Sequence, residues 1–307
     1  MPVQEIMKDL FFIERGYLNA NHFVYRSEKP VLIDTGYVTD FNFTEKMITS
    51  LGVKLDDVRQ IINTHCHCDH IGGNRMIQQR SGCDIAMHRI GKHFIDTKDD
   101  WSTWWTYYNQ KADFFNCTHS LEDGDVIFVG PHEFHVIYTP GHAADGIVLY
   151  NPKEKVLLSS DTLWQNDLPV ITIRIEGSRA LFSLKESLEK IESLDVDRVY
   201  PGHGKPFTQL KDAVSLCKGK IELYLKHPER IGTDLLKKIM IYTLMMHKTV
   251  AADTFFDHLM GTWWFKETVD LYFDKAYDTK YRQILESFLE RGIVKQKEGQ
   301  LFTTVKP

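Results

Sequence analysis

The chain has 307 residues, 43% hydrophobic and 26% charged, with a formal net charge of −5. That length suits one large domain with a small one, or two medium domains, of ordinary globular composition. No apolar run approaches the roughly 20 residues of a membrane span, and an acidic chain is not coated for nucleic acid or anionic lipid. The five cysteines, scattered except for Cys66 and Cys68, read as reduced thiols. The opening stretch MPVQEIMKDLFF lacks the basic, apolar and small-residue succession of a secretory signal. A cytoplasmic location is therefore expected.

In chain order, Phe23-Val24-Tyr25 and Val31-Leu32-Ile33 flank Ser27-Glu28-Lys29-Pro30, a hairpin-like signal, and Asp34-Thr35-Gly36 closes the second strand. Phe43, Met47, Ile48 and Leu51 predict a helix over 40–51 that ends before Gly52. Ile61-Ile62 predicts a buried strand running into a His-rich segment, followed by a helix over 72–80 and a strand at Ile85-Ala86-Met87. Residues 92–118 break the pattern, with Trp101, Trp104, Trp105, Tyr107, Tyr108, Phe114 and Phe115 at no clean period. After the turn Asp123-Gly124-Asp125, strands are expected near 126–129, 134–138, 147–150 and 155–159. Ser178 is placed to cap a helix carrying Leu181, Leu184, Leu188 and Ile191 on one face, and Val199-Tyr200 is a last short strand.

Beyond residue 210 the pattern turns helical, over 211–226 and 233–247 with further stretches to about 275. From Lys211 onward 16 basic residues face 13 acidic ones, a small surplus against the acidic remainder. The tail reads as a helix over 280–291, Gly292 as its left-handed stop, then Ile293 to Lys297, a turn at Glu298-Gly299, and Leu301 to Val305. A helix followed by a terminal hairpin is the outline of a winged helix.

The chemistry is concentrated in His65-Cys66-His67-Cys68-Asp69-His70. In extended chain His65 and His67 point to the same side, close enough to share a cation, while Cys66 and Cys68 point away as packing residues. Gly72-Gly73 forces a turn that can carry Asp69 and His70 to a second cation. Pro140-Gly141-His142, Ser159-Ser160-Asp161 and Pro201-Gly202-His203 each place one ligand-type side chain on a turn after a strand. Glycine beside each His lets the backbone approach a crowded cluster. Imidazole and carboxylate ligands suit zinc, iron or manganese. Asp34, in Leu-Ile-Asp-Thr-Gly, is expected to orient a ligand histidine or the turn. The other histidines carry no such pattern.

In its His-x-His-x-Asp-His run, its two Pro-Gly-His turns and its strand-end aspartate, the sequence resembles the metallo-β-lactamase superfamily over about residues 10–210. The resemblance implies an α+β fold, a four-layer αβ/βα sandwich over 1–210, and the pattern of the tail adds a mostly helical, winged-helix-like C-terminal domain over 211–307. It also implies two divalent metal ions, zinc first. His65, His67 and His142 would hold one, Asp69, His70 and His203 the other, and Asp161 would bridge them. A hydroxide held between such ions attacks an electrophilic carbon or phosphorus, and Asp69 could orient it or pass its proton to the leaving group.

The expected activity is hydrolysis of a small-molecule ester, thioester or lactone. The alternatives are an endoribonuclease or phosphodiesterase, for which the acidic first domain offers little attraction, and an iron-dependent oxygenase or non-catalytic sensor of the same fold. The aromatic segment is either a substrate-covering lid or, the preferred reading, an insert packing against the C-terminal helices or a homodimer contact. Trp263-Trp264-Phe265 is its expected partner.

Overall fold

The computed structural model describes residues 3–307. Apolar residues at period two form two sheets. The first has strands β1 (Val3–Met7), β2 (Leu10–Ile13), β3 (His22–Tyr25), β4 (Val31–Ile33), β5 (Gln60–Ile62), β6 (Asp84–His88) and β7 (His119–Leu121), paired in chain order. It is antiparallel from β1 to β4 and parallel from β4 to β7. The second holds β8 (Val126–Val129), β9 (His132–Tyr138), β10 (Ile147–Asn151), β11 (Val156–Ser160) and β12 (Arg198–Pro201), in the order β12-β11-β10-β9-β8. Its one parallel pair is β11 with β12.

Alternation assigns each face. Phe12, Phe23, Ile33 and Ile62 of the first sheet meet Phe134, Val136, Leu149 and Leu158 of the second in a shared core. The opposite residues of the first sheet, Val24, Leu32, Ile61 and Ile85, pack under Phe41 and Ile48 of helix Phe41–Ser50 and Ile77 of helix Asn74–Ser81. Val148, Tyr150, Leu157 and Val199 on the outer face of the second sheet pack under helices Ala180–Glu192 and Leu210–Lys226. The layers are therefore helix, sheet, sheet, helix: the four-layer sandwich that the resemblance implied. Helix Leu210–Lys226 buries Leu210, Val214, Cys217 and Ile221 in this sandwich, so its outer layer continues past residue 210.

Several details differ from the sequence reading. The helix expected behind Ser178 begins at Ala180, with Arg179 at its N-cap and no side-chain cap bond, so Ser178 does not cap it. Buried Ala180 and Leu181 set the start instead. Residues 92–97 belong to helix Arg89–Thr97, and only the stretch after Lys98, itself left-handed at φ 56°, is irregular. Strands β1, β2 and β7 were not anticipated.

After Lys226 come helices Glu229–His247, Phe255–Met260, Trp263–Tyr272 and Tyr277–Glu290. The expected terminal hairpin is β14 (Val294–Lys297) with β15 (Gln300–Thr303), and β13 (Val250–Ala251) pairs with β15 as a third strand. This region is not set apart from the sandwich. Leu235, Leu236, Ile239, Met240, Trp264 and Phe265 share one core with Trp104, Trp105, Tyr107 and Tyr108, and with Cys66 and Cys68. Trp264 and Phe265 are thus partners of the aromatic segment, whereas Trp263 is 56% exposed. No helix among the described residues is long and apolar enough to cross a membrane.

Leu236 is fully buried at the centre of this shared core. Leu236→Ala is expected to lower stability by roughly 2–5 kcal/mol, read by denaturant unfolding.

Candidate metal centre

Five strands end on the same edge of the sandwich, and each delivers part of the site. β4 ends at Asp34, β5 leads to His65, β9 to His142, β11 to Asp161 and β12 to His203. Short polar links tie the two sheets together there. Thr64 O accepts from Ile147 N at 2.9 Å, and Ser160 Oγ donates to Thr64 Oγ1 at 2.7 Å. The turn expected after His67 is one turn of helix, Cys68–Ile71, with His67 at its N-cap. It can fold back so tightly because Gly72 lies against the backbone of Gly36, Tyr37 and Val38, where no Cβ would fit.

All seven residues singled out in the sequence converge. His65, His67 and His142 form one group, and Asp69, His70, Asp161 and His203 another; within each, one candidate ligand atom per residue lies within 4.8 Å of the rest. His65 Nε2 is 3.0 Å from His67 Nδ1. Asp161 Oδ2 stands between the groups, 3.5 Å from His142 Nε2, 3.5 Å from His70 Nε2 and 3.6 Å from His203 Nε2. Asp69 Oδ2 is 3.1 Å from His203 Nε2.

Contacts behind the ligands fix ring orientation. His70 Nδ1 meets Asp34 Oδ2 at 2.8 Å, His142 Nδ1 the Val170 carbonyl at 2.8 Å, and His203 Nδ1 the Gly16 carbonyl at 3.2 Å. A ring that donates from Nδ1 keeps the Nε2 lone pair for a cation. Asp34 thus plays the orienting part expected of it. Trp164 Nε1 donates to Asp161 Oδ1 at 3.1 Å.

The electrostatics divide the same way. Burial and neighbouring imidazoles hold His65 and His67 well below the usual imidazole range, and burial lowers His142. Burial opposes charge on His70 too, but Asp34, Asp161 and Asp69 outweigh it and raise its pKa; Asp161 and Asp69 do the same for His203. Burial also works to raise the Asp161 carboxyl, yet His203 and His70 hold it far below the carboxylate range. Burial thus disfavours charge in the first group, whereas the carboxylates of the second draw positive charge to the point where His70 and His203 converge, as a bound cation would supply.

Whether cations fit is decided by the orphaned atoms. His70 Nε2 and His142 Nε2, the atoms that face Asp161 Oδ2, are buried and make no hydrogen bond among the described residues. A buried polar atom without a partner is costly. Converging nitrogens and carboxylate oxygens at this spacing are a ligand set for hard-to-borderline divalent ions. The residues fit two such ions. Cys66 and Cys68 lie outside both groups: Cys66 Sγ is 3.5 Å from Asp145 Oδ1, and Cys68 Sγ is 3.6 Å from the Tyr242 hydroxyl.

A cavity of about 50 Å³ opens on the ligands, lined by His67, Asp69, His142, Asp161 and His203 together with Tyr17, Trp104, Gln110, Trp164, Val170, Lys238, Ile239 and Tyr242. The aromatic segment supplies Trp104 and Gln110, and helix Glu229–His247 supplies Lys238, Ile239 and Tyr242. Both earlier readings of that segment hold in part, because it packs on the C-terminal helices and also walls the site. Tyr17, Lys238 and Tyr242 carried no motif and were missed. The mixed polar residues inside an otherwise apolar helix were the only signal for the last two.

The profile of the "Metallo-beta-lactamase superfamily" matches residues 16–203. Over 219 residues the chain is 26% identical to a "Probable metallo-hydrolase" of Bacillus subtilis (strain 168), covering 62% of this chain and 68% of that one. It is 29% identical over 160 residues to a hydroxyacylglutathione hydrolase of Maricaulis maris (strain MCS10), where the match spans 52% of this chain and only 53% of the relative. An acyl-coenzyme A thioesterase of Homo sapiens is 25% identical over 225 residues, covering 64% and 79%. Among solved structures, a metallo-beta-lactamase family protein of Thermus thermophilus superposes with a TM-score of 0.62 at 18% identity, over 97% of this chain and all of that one. The chain belongs to the metallo-β-lactamase superfamily. Within that class it is a metal-dependent hydrolase.

Two outcomes follow from the geometry. A Cβ on Gly202 would overlap Asp161 Oδ1, so Gly202→Ala is expected to lower bound metal per chain while far-ultraviolet circular dichroism stays unchanged. The second concerns Glu176, which burial pushes up to about 8. A carboxyl raised in the folded state stabilises most below its unfolded pKa, and that contribution is lost as pH climbs through the folded value. On the metal-free protein, thermal stability should therefore fall more, or rise less, between about pH 5 and 8 in the wild type than in Glu176→Gln.

Proposed function

We propose that the chain hydrolyses a small-molecule ester, thioester or lactone at two divalent cations, zinc first with iron or manganese as alternatives. The observation that carries this reading is the pair of adjoining ligand groups with Asp161 Oδ2 between them. His65, His67 and His142 would hold one ion; Asp69, His70 and His203 the other; Asp161 would serve both. When bound, such ions lower the pKa of a coordinated water and polarise the oxygen of the group under attack.

The protein's own residues do the rest. Asp34, the Val170 carbonyl and the Gly16 carbonyl keep three imidazoles aimed inward. Asp69, 12% exposed at its side chain beside His203, borders the cavity where an attacking water would stand and can accept or return its proton. Tyr17, Trp104, Trp164, Val170 and Ile239 exclude bulk water from the reacting bond.

The walls favour an uncharged reacting group. Lys238, the one cationic side chain among the lining residues, already meets Asp234 at 2.7 Å, Asp167 at 3.2 Å and the Leu168 carbonyl at 2.5 Å. It is committed to holding the 161–170 loop on the helix, so the walls add no free cationic side chain to the charge that the ions would supply. This supports an acyl substrate over a nucleic acid, and a relative named as a thioesterase supports a thioester within that class.

Metal analysis of the purified protein, with a panel of thioesters, lactones and phosphodiesters, tests the reading. Asp161→Ala should lose metal and activity together, the rate falling roughly 100-fold or more, beyond the cost of losing an outer hydrogen-bond partner. A variant that kept both metals and full rate would rule out Asp161 as the shared ligand, and iron with oxygen uptake would rule out hydrolysis.

A further inference from the structure

Trp104 is the most constrained side chain around the cavity. Its backbone is left-handed at φ 72°, a region a bulky residue enters only when its surroundings force it. Its indole lies over the His67 ring, centroids 3.9 Å apart and planes 35° apart, and meets the His142 ring edge-on at 5.1 Å. Tyr108 packs against it at 5.5 Å and is itself held by a 2.5 Å hydrogen bond between its hydroxyl and that of Thr172. Nε1 donates to Glu176 Oε1 at 2.7 Å. Glu176 closes the short helix Ile173–Glu176, next in the chain after Thr172. The indole is thus clamped from the ligand side, from behind and by its one polar atom, at 3% exposure, yet it still lines the cavity.

We propose that Trp104 is the specificity-determining residue of the site: its fixed indole sets the width of the cleft beside His67 and His142, admitting a flat or unbranched group next to the scissile bond and excluding a bulky one. Glu176 is a positioning residue that acts through Trp104. The proposal rests on the hydrolase reading above, because it needs the reacting bond to sit at those histidines. Of the other lining residues, Val170 and Ile239 have apolar side chains, and the one polar atom of Trp164 is already spent on Asp161. Selection by these residues and Trp104 is therefore by shape rather than by hydrogen bonding, the regime in which pocket size discriminates about 10- to 200-fold.

The test uses the zinc-loaded protein and thiols, which bind zinc as thiolates. Affinities for ethanethiol, phenylmethanethiol and adamantanethiol are measured by titration calorimetry, with zinc per chain determined on the same samples. The wild type should bind the first two and discriminate against the third. Trp104→Ala should keep its zinc and improve the adamantanethiol-to-ethanethiol affinity ratio by about tenfold or more. Trp104→Phe keeps an aromatic ring without the indole N–H and should give a smaller change in the same direction. Glu176→Gln retains an oxygen to accept from the indole and should behave as wild type, whereas Glu176→Leu should shift the ratio as Trp104→Phe does. An unchanged ratio, or no thiol binding, in wild type and Trp104 variants alike overturns the proposal. A wild type that takes up no zinc overturns the metal-centre reading instead, and the proposal with it, so metal content separates the two failures.

Discussion

The carboxylate of Asp34 is the constraint on which the centre depends. It stands in left-handed backbone at φ 58°, a conformation aspartate tolerates better than most side chains. From there it accepts from Thr64 N at 2.9 Å and Thr64 Oγ1 at 2.7 Å, and it meets His70 Nδ1 at 2.8 Å. One side chain thus locks the end of β4 to the loop leaving β5 and sets the ring of a ligand. Thr64 passes the constraint to the other sheet, because its hydroxyl also accepts from Ser160, the residue before Asp161. His70 and the backbone before Asp161 are therefore held by one buried hydrogen-bonded chain across both sheets, and such chains specify geometry more sharply than pairwise bonds do.

Around that frame, burial does two things at once. The shared core of the aromatic segment and the C-terminal helices hides Trp105, Tyr107 and Tyr108. The same packing leaves Trp104 and Tyr242 at the edge of the cavity. Trp105 Nε1 donates to the Cys66 carbonyl at 3.0 Å, so the segment also steadies the loop between the first two ligands. Stability and access to the site are consequently properties of the same residues.

What the sequence made legible follows from how local each signal is. The seven convergent residues sit in short motifs at strand ends, and apolar strands such as Val31-Leu32-Ile33 announce themselves by composition. Asp34 could be singled out because it belongs to such a strand end. β1 escaped notice because its exposed Val3, Gln4 and Glu5 carry no alternation. β7 is three residues with one buried side chain. The walls of the cavity were harder still: Tyr17 and Tyr242 lie 225 positions apart in the chain and are brought to one cavity only by packing. Tyr242 reports its place by donating to the Leu18 carbonyl at 3.1 Å, a contact no periodicity encodes.

The order in which the chain is made gives the C-terminal wall a further meaning. The strands of both large sheets and all seven convergent residues are complete by His203, whereas Lys238, Ile239 and Tyr242 come later in the chain. Helix Glu229–His247 is the packing partner of the aromatic segment and supplies one wall of the cavity. The ligands are thus a product of the two sheets, while part of their enclosure comes from a helix that follows them in the chain.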